Sequence, residues 1–463
     1  MSMSSALNIA ASGLGVASLQ AEVASRNISG ADRPGFTRKE VSTLTTRSGE
    51  VRVGAVERSV DAMLVRLERA GRSRLAAAST RAEGIAAYTA HLGQPQDGFS
   101  PSDFVGRLQT ALVTLSAFPS QAAAQLQVVS RAKEVTGSLV GLVKSLGTVA
   151  REVDLNLRYD VAAANDAMQE LAELNKGVFS AMDPLARTGM ADRMSGLVDT
   201  LAEFMDIQTV TNPDGMVSVY TAGGAELVVR DQVFDVAYDA ATGRLSAGAV
   251  DLTPAGTGRG IAGGSLAGLL DLRNVTLPGF ADQLDGLAAG LVRAFEIANP
   301  MPDGRGLFTD AGAQFSPARQ AGLAGRIAVN EVLDPDAGGS TDWLRTGGMG
   351  DVATADASRV DAMLTAFSNP VTVLTGGLGA GLTLAELAPA LVGRQQAERA
   401  SAESTAETTR AAADTVASAR TNFEGVNIDD EMQKLLLVQR SYAANAKVLT
   451  TVSTMLDTLL AAV

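Results

Sequence analysis

Hydrophobic periodicity is strongest at the two ends of the chain. Over residues 428–463 a seven-residue frame places Ile428, Leu435, Tyr442, Leu449, Leu456 and Val463 at one core position, and Glu431, Val438, Asn445, Val452 and Leu459 at the other. That recurrence is the seam of a coiled coil. The stretch contains no Pro or Gly, so it predicts an unbroken helix, about 54 Å long if wholly helical. At the other end, Ser4 to Ile28 repeats Leu7, Ala10, Leu14, Ala17, Ala21, Ala24 and Ile28 on one heptad frame, with Ile9, Val16 and Val23 on another side. A helix apolar on two faces must bury both. The carboxyl-terminal seam covers one, so the expectation is that the stripe Ile9, Val16, Val23 is left for another molecule; the plainer alternative is two terminal helices closing an ordinary bundle.

Between the ends the pattern changes several times. The run Asn27-Ile28-Ser29-Gly30-Ala31-Asp32-Arg33-Pro34-Gly35-Phe36 stops the first helix, because Pro34 lacks an amide proton and biases its predecessor away from the helical region. Val41 to Val60 reads as extended or as a short hairpin. From Asp61 to about Asp206 the period is helical, with Asp61 and Ser102-Asp103 as start signals and a long Pro-free stretch from Ala132 to Leu174. Turn chemistry at Asn212-Pro213-Asp214-Gly215 opens alternating segments at 216–220, 226–229 and 233–238. Helix returns from Gly264 to Asn299. Residues 300–377 are irregular, with Ile327-Ala328-Val329 strand-like and Asp361 to Phe367 a short helix; Leu384 to Phe423 is a last internal helix ended by Gly425.

The predicted fold is therefore mainly α with β inserts, elongated and multidomain. Amino- and carboxyl-terminal helices pair as a coiled coil (1–40 and 426–463). A helical-bundle rod follows (41–208, 261–300 and 378–425), carrying a small outer β and irregular domain (209–260 with 301–377).

Composition fits that picture. Aromatics make up only 4% of the 463 residues, which suits long helices packed through small side chains. The net charge of −13 argues against nucleic acid as a partner, since phosphate binding needs clustered Lys and Arg. Between Arg26 and Arg74 eleven basic residues stand against six acidic ones, so the remainder carries the acid excess. A solvated surface of mixed charge is the preferred reading of that belt, and contact with an acidic neighbouring subunit the sharper one. With no cysteine and a single histidine, His91, thiolate metal sites and disulfides are excluded and a Ser-His-Asp site would rest on His91 alone. The amino terminus shows no basic leader followed by an apolar run. The most apolar internal stretch, Gly376 to Gly393, is interrupted by Glu386 and Pro389 and predicts no membrane insertion.

Candidate catalytic motifs fail on context. Gly258-Arg259-Gly260-Ile261-Ala262-Gly263 has dinucleotide-loop spacing without the preceding strand. Gly263-Gly264-Ser265-Leu266-Ala267 ends in Ala where a nucleophile elbow needs Gly. Asp334-Pro335-Asp336 and Asp429-Asp430-Glu431 lack calcium-loop spacing. No cofactor or metal is expected and the chain reads as a non-enzyme; a secreted carbohydrate-active hydrolase on a helical stalk, using two distant carboxylates, is the alternative of another class.

Both termini resemble one family. Ser4-Ser5-Ala6-Leu7-Asn8-Ile9, Ser12-Gly13-Leu14, Asn27-Ile28 and Pro34-Gly35-Phe36-Thr37-Arg38 are similar to the amino-terminal signature of bacterial flagellar axial proteins, which include rod, hook and hook-associated proteins. Gly425-Val426-Asn427-Ile428-Asp429-Asp430-Glu431, Leu435-Leu436, Gln439, Tyr442, Ala444-Asn445-Ala446 and Met455-Leu456-Asp457-Thr458-Leu459 resemble the matching carboxyl-terminal signature. The Pro-Gly-Phe-Thr-Arg form, the long helical region after it and Gly264-Ser265-Leu266-Ala267-Gly268-Leu269-Leu270 favour the hook-associated branch over the near alternative, a hook or distal-rod protein. Ser29-Gly30-Ala31-Asp32-Arg33 departs from the usual Ala-Asn-Ala-Asn-Thr run, and the middle is too short for the large outer domain of some relatives.

The resemblance implies a structural adaptor that polymerises as a homo-oligomer at the distal end of the hook. It implies contacts with hook protein and the next hook-associated protein, and a cytoplasmic export chaperone on the carboxyl-terminal helix. It further implies export without a cleaved signal and a place outside the cell, at the hook–filament junction. The expected assembly contacts are Leu7, Ile9, Leu14, Val16, Val23, Ile28, Leu435, Val438, Tyr442, Asn445, Leu449, Val452, Leu456 and Leu459, on terminal helices expected to be largely disordered alone and to fold on docking.

Overall fold

The computed structural model describes residues 3–461 apart from 34, 95–96, 181–182, 255–257 and 351, and describes no side chain at 179 or 459–461. Pro34 of the turn, Val463 of the seam and the Leu459 side chain thus lie outside the described residues.

Helix α1 (Met3–Gly30) runs into a hairpin of β1 (Lys39–Thr45) and β2 (Val51–Arg58). The strands pair antiparallel with a bulge at Ser42/Thr43. Four helices follow: α2 (Ala62–Leu92), α3 (Pro101–Ala117), α4 (Ala122–Ser180) and α5 (Pro184–Phe204). Asp61 caps α2 through the amides of Met63 and Leu64, as its position predicts. The start of α3 lies slightly earlier than expected: Ser100 and Asp103 form a reciprocal capping box around Pro101. Helix α4 extends well past the predicted Ala132–Leu174. Its 59 residues give a spine of about 90 Å.

Two small sheets lie against the carboxyl-terminal part of this spine. β3 (Ile207–Thr211), β4 (Val217–Thr221), β5 (Glu226–Val229) and β6 (Gln232–Val233) form one antiparallel meander. β7 (Val236–Asp239), β8 (Arg244–Ala247) and β9 (Val250–Asp251) form the other. The single strand expected over 233–238 is split at Phe234-Asp235, where the chain changes sheet. Two asparagines on α4 hold the sheets from below. The Asn175 side chain exchanges hydrogen bonds with the backbone of Val217 (2.9 and 2.8 Å) and Asn165 does the same with Val236 (2.9 and 2.8 Å). Each amide takes the place that a neighbouring strand would otherwise fill.

Helix resumes as α6 (Ser265–Asp271), a π turn over Leu272–Thr276, and α7 (Leu277–Ala298). Glycine is needed at Gly264, which sits at φ +85° with a built Cβ 2.2 Å from the Phe204 carbonyl carbon, and at Gly268, where a Cβ would meet the Ala77 oxygen at 2.5 Å. The Gly-Ser-Leu-Ala-Gly-Leu-Leu motif is thus a close-packing device that sets α6 against α2. Ser265 donates to Asp160 while His91 lies exposed on α2 beside the Ala87 carbonyl, so the near-elbow carries no catalytic pair.

The irregular region contains β10 (Phe308–Asp310) paired with β11 (Ile327–Val329), α8 (Trp343–Thr346) and α9 (Ser358–Ala366). Buried polar side chains of α7 organise it: Asp285 accepts from the amides of Gly322 (2.6 Å) and Ala324 (2.8 Å), and Glu296 from Phe315 (2.5 Å). Desolvation pushes both carboxyls up from their ordinary range. Phe295 packs edge-on to Phe308 and Phe367 with centroids 5.3 and 5.8 Å away. This region docks on the amino-terminal part of α4, through Gly325 against Val143 and Lys133 to Asp334 and Asp336. Residues 209–260 and 301–377, grouped as one outer domain from sequence, therefore sit at different places along the spine.

Helix α10 (Leu384–Glu424) opens on a Thr383/Glu386 capping box and returns along α2, and α11 (Ile428–Ala461) completes the chain. One buried polar chain ties three helices: the Tyr88 hydroxyl donates to Gln395 Oε1 (3.0 Å), whose amide donates to Gln283 Oε1 (3.0 Å). Tyr88→Phe strands the Gln395 carbonyl oxygen in an apolar site, and an unsatisfied buried acceptor costs about 1–3 kcal/mol. A lower midpoint in urea unfolding is the expected result; an unchanged midpoint would show that the Gln395 oxygen has another partner.

Candidate assembly surface

The candidate site is the pair of terminal helices with the hairpin that flanks them. α1 and α11 run antiparallel: Asn27 meets Glu431 near one end and Gly13 meets Asn445 further along. Burial on α11 follows the predicted seam. Glu431 and Val452 are buried, and Leu435, Val438, Asn445 and Leu449 are partly buried. Tyr442 and Leu456 lie at its margin, 45% and 36% exposed. On α1, Leu7, Leu14 and Ile28 are partly buried.

The two polar seam positions have physical reasons. Glu431 is 2% exposed and accepts from the Asn27 amide (3.1 Å) and from Lys434 (2.9 Å). Asn27 also exchanges hydrogen bonds with the Lys39 backbone (2.9 and 3.0 Å), so one buried asparagine joins α1, α11 and β1. At Asn445 the partner helix gives way: a Cβ on Gly13 would sit 2.9 Å from Asn445 Nδ2. The amide needs a glycine opposite it, which fixes register by shape.

The second stripe of α1 is not open. Val16 and Val23 are buried and Ile9 partly so, because the hairpin lies across them. Val23 packs with Val56 and with Leu185 of α5, flanked by Leu19 and Val41. The Val51 amide donates to Ser12 Oγ (3.3 Å), and Gly49 lies against Ile9. The expectation that another molecule must cover Ile9, Val16 and Val23 is thus corrected: the chain's own hairpin does so. The bare face lies on α11, where Leu437 is 62%, Val448 46% and Met455 52% exposed. With Ser441, Ala444 and Thr451 these residues alternate by threes and fours, a second heptad stripe beside the seam. The signal was present in the run Leu435-Leu436-Leu437-Val438, which is too apolar for one seam.

Ionic contacts anchor the terminal pair to the rod. Lys39 and Arg58 both reach Asp192 of α5 (2.6 and 2.7 Å). Nearby, Arg420 of α10 touches Glu68 (2.8 Å), Asp199 (3.0 Å) and Glu424 (2.8 Å), and Arg69 pairs with Asp199 at 2.6 Å. Burial alone would pull the Arg420 guanidinium down, but Asp199, Glu68 and Glu424 together raise it above its ordinary value. Burial lowers Arg69, only partly offset by Asp199. Within the basic belt, Lys39, Arg58 and Arg69 are thus taken up by carboxylates of the same chain away from solvent, while Arg26, Arg33, Arg47, Arg52, Arg66 and Arg74 lie exposed.

Among the described residues no group of three His, Cys, Asp or Glu is placed to hold a metal, and no helix is long and apolar enough to cross a membrane. A groove of about 530 Å³ between α7, α9 and residues 369–373 is lined by Arg293, Ile297, Thr365, Asn369 and small side chains, with no carboxylate. A shallower one of about 500 Å³ beside α4 holds Asp166, Glu170, Glu173 and Asp231, of which Glu170 and Glu173 are paired with Arg193 and Lys176. The first groove thus lacks the carboxylate pair that a glycosidase needs.

A rod of helices with small lateral sheets, closed at one end by its two chain termini, defines an axial structural subunit. Comparison with known proteins agrees. The family model described as the flagellar hook-associated protein FlgK helical domain matches residues 92–312, and that described as the flagellar basal body rod FlgEFG protein C-terminal matches 418–462. Flagellar hook-associated protein 1 of Bacillus subtilis is 22% identical over 93% of this chain and 92% of its own length. That of Escherichia coli is 24% identical over 63% of this chain and 56% of its own. The solved flagellar hook junction protein FlgK from Burkholderia pseudomallei aligns with a TM-score of 0.43 and 22% identity over 54% of this chain and 45% of that one. The chain is thus similar to flagellar hook-associated protein 1 over nearly its whole length and to flagellar axial proteins at its carboxyl end.

Removing Arg420 leaves Glu68, Asp199 and Glu424 crowded without their shared cation. Arg420→Met is expected to cost about 3–5 kcal/mol, as for other broken buried pairs, read as a lower thermal midpoint. Arg26→Ala, which removes the exposed pair with Glu22, is expected to stay within about 0.5 kcal/mol. Equal shifts in the two variants would refute the buried character of the Arg420 cluster.

Proposed function

We propose that this protein is a structural adaptor subunit of the bacterial flagellum, polymerising at the distal end of the hook to join hook to filament. The observation that carries the reading is the bare heptad stripe on α11, set on a helix whose other seam is already filled by α1. Such a stripe finds its complement in sister copies, and burial of its leucine, valine and methionine side chains supplies about 25 cal/mol per Å² removed from water. The likeness to flagellar hook-associated protein 1 supports the place of action and a non-enzymatic role. Hook protein on one side and the next hook-associated protein on the other are the neighbours this role requires. Before assembly the same stripe is the natural seat for a cytoplasmic export chaperone, and the subunit leaves the cell without a cleaved signal. Leu7, Leu14, Ile28, Leu435, Val438, Asn445, Leu449, Val452, Leu456 and Tyr442 act by holding the pair whose outer face docks; Ile9, Val16 and Val23 act by holding the hairpin.

A strain lacking the gene is expected to show hooks without filaments by electron microscopy, with flagellin shed to the medium. Leu437→Asp separates docking from folding, because the exposed Leu437 side chain lies on the bare face and a surface change of this kind moves stability by about 0.5 kcal/mol or less. That variant is expected to be exported and folded yet to leave hooks bare. Leu449→Asp, in the seam, is expected to abolish assembly while the rod stays folded. Normal motility with Leu437→Asp would count against the docking face.

A further inference from the structure

Helix α5 presents Asp192 and Asp199 seven residues apart, two turns along one face. Asp192 gathers three groups from the far side of the joint: Thr37 Oγ1 donates at 2.6 Å, Lys39 Nζ at 2.6 Å and Arg58 Nε at 2.7 Å. They come from the turn after α1, the first residue of β1 and the last residue of β2. Asp199 gathers the rod, taking Arg69 of α2 at 2.6 Å and Arg420 of α10 at 3.0 Å. Between them, the Ser195 hydroxyl and carbonyl accept from Arg69 at 3.1 and 3.4 Å.

The covalent links across this joint are short and irregular: residues 31–38 after α1, 59–61 into α2 and 425–427 into α11. Backbone hydrogen bonds cross the joint from Arg38 to Glu424 (2.9 Å) and from Ser59 to Arg38 (2.8 Å), and Leu185 of α5 packs with Val23 and Val56 beside the Asp192 cluster. The leverage is large. α11 has 34 residues, so a tilt of about 10° at its base carries the far end through roughly 9 Å, more than the width of a helix backbone.

We infer that Asp192 is a positioning residue that sets the angle at which the terminal pair and its hairpin leave the rod, with α5 as the bracket that relays this angle to α2 and α10. In an assembled tube the angle decides where the α11 stripe meets its neighbour, a consequence that rests on the function proposed above. The bracket itself is a property of the single chain. It also assigns a task to the Thr37-Arg38 end of the amino-terminal signature and to Lys39 just after it: Thr37 and Lys39 are donors to Asp192, and the Arg38 amide donates to the Glu424 carbonyl at the end of α10 (2.9 Å).

The absence of native cysteine makes the test direct. Tyr159→Cys on α4 and Lys447→Cys on α11, both at exposed positions, carry a pair of spin labels, and the distance distribution between them is read by pulsed dipolar spectroscopy. The labelled parent is expected to give one narrow distribution. Asp192→Ala is expected to broaden it with unchanged helix content, and Asp192→Glu to narrow it again. Should Asp192→Ala fail to fold, the near-isosteric Thr37→Val, which removes one donor, is expected to broaden the distribution on its own. A distribution as narrow as the parent's in Asp192→Ala, or in Thr37→Val where that variant carries the test, overturns the bracket. In the deletion strain, Asp192→Ala is expected to be exported without restoring filaments. Full motility alongside a broadened distribution overturns the role in assembly, whereas failure of the labelled parent's unlabelled form to complement tells against the function itself.

Discussion

The pairing of α1 with α11 is the constraint on which the rest of the architecture turns. Once the two ends lie antiparallel, with Asn27 on Glu431 and Gly13 on Asn445, everything between must leave that point and come back to it. The chain does so through α2 outward and α10 inward, whose contact is among the most extensive of any two elements. That contact is made of small residues: Ala402 and Ala413 are buried on α10, and Gly71 lies against Ala413. Close approach of two long helices needs such side chains, which explains a composition rich in Ala and poor in aromatics. Aromatic residues concentrate where three layers meet, at Tyr88 with Phe280 and around Phe295.

Helix α4 is the second organising element, and it explains why such small sheets are stable. An isolated two- or three-stranded sheet is marginal in water. Here the meanders share the rod's core through Val219, Leu227, Leu245 and Leu252, and their edges are completed by Asn165 and Asn175. The sheets are decorations on a helix that supplies both the apolar floor and the missing hydrogen bonds. The irregular region uses the same logic with carboxylates, as Asp285 and Glu296 accept backbone amides that no strand pairs.

Local signals explain which of these features were legible in the sequence. Asp61, the turn at 211–215, the start at Gly264 and the stop at Gly425 are caps and turns whose chemistry is contained within a few residues. The carboxyl-terminal seam was equally plain, because a heptad repeat is a local pattern carrying long-range meaning. What escaped were features that depend on a distant partner. Nothing near Asn165 or Asn175 announces a strand 71 or 42 residues further along the chain, and nothing near Asp192 announces Lys39 and Arg58. The second stripe of α1 shows in the sequence as a face that needs cover, but nothing local says that the cover is the chain's own hairpin. The hairpin was visible as extended chain; its destination was not, since Val41 and Val56 face the helix only after the turn at 31–38 has folded the ribbon back.

That correction changes the chemistry expected of the free subunit. Open apolar stripes on both terminal helices would form a contiguous patch of the kind that drives aggregation. With α1 covered on both faces, the bare apolar side chains of the terminal pair lie on α11, Met432 and Leu436 among them, and the stripe beside the seam is tempered: Leu437, Val448 and Met455 alternate with Ser441, Ala444 and Thr451. The polar residues that dilute the stripe therefore limit the contiguous apolar area that the single chain exposes.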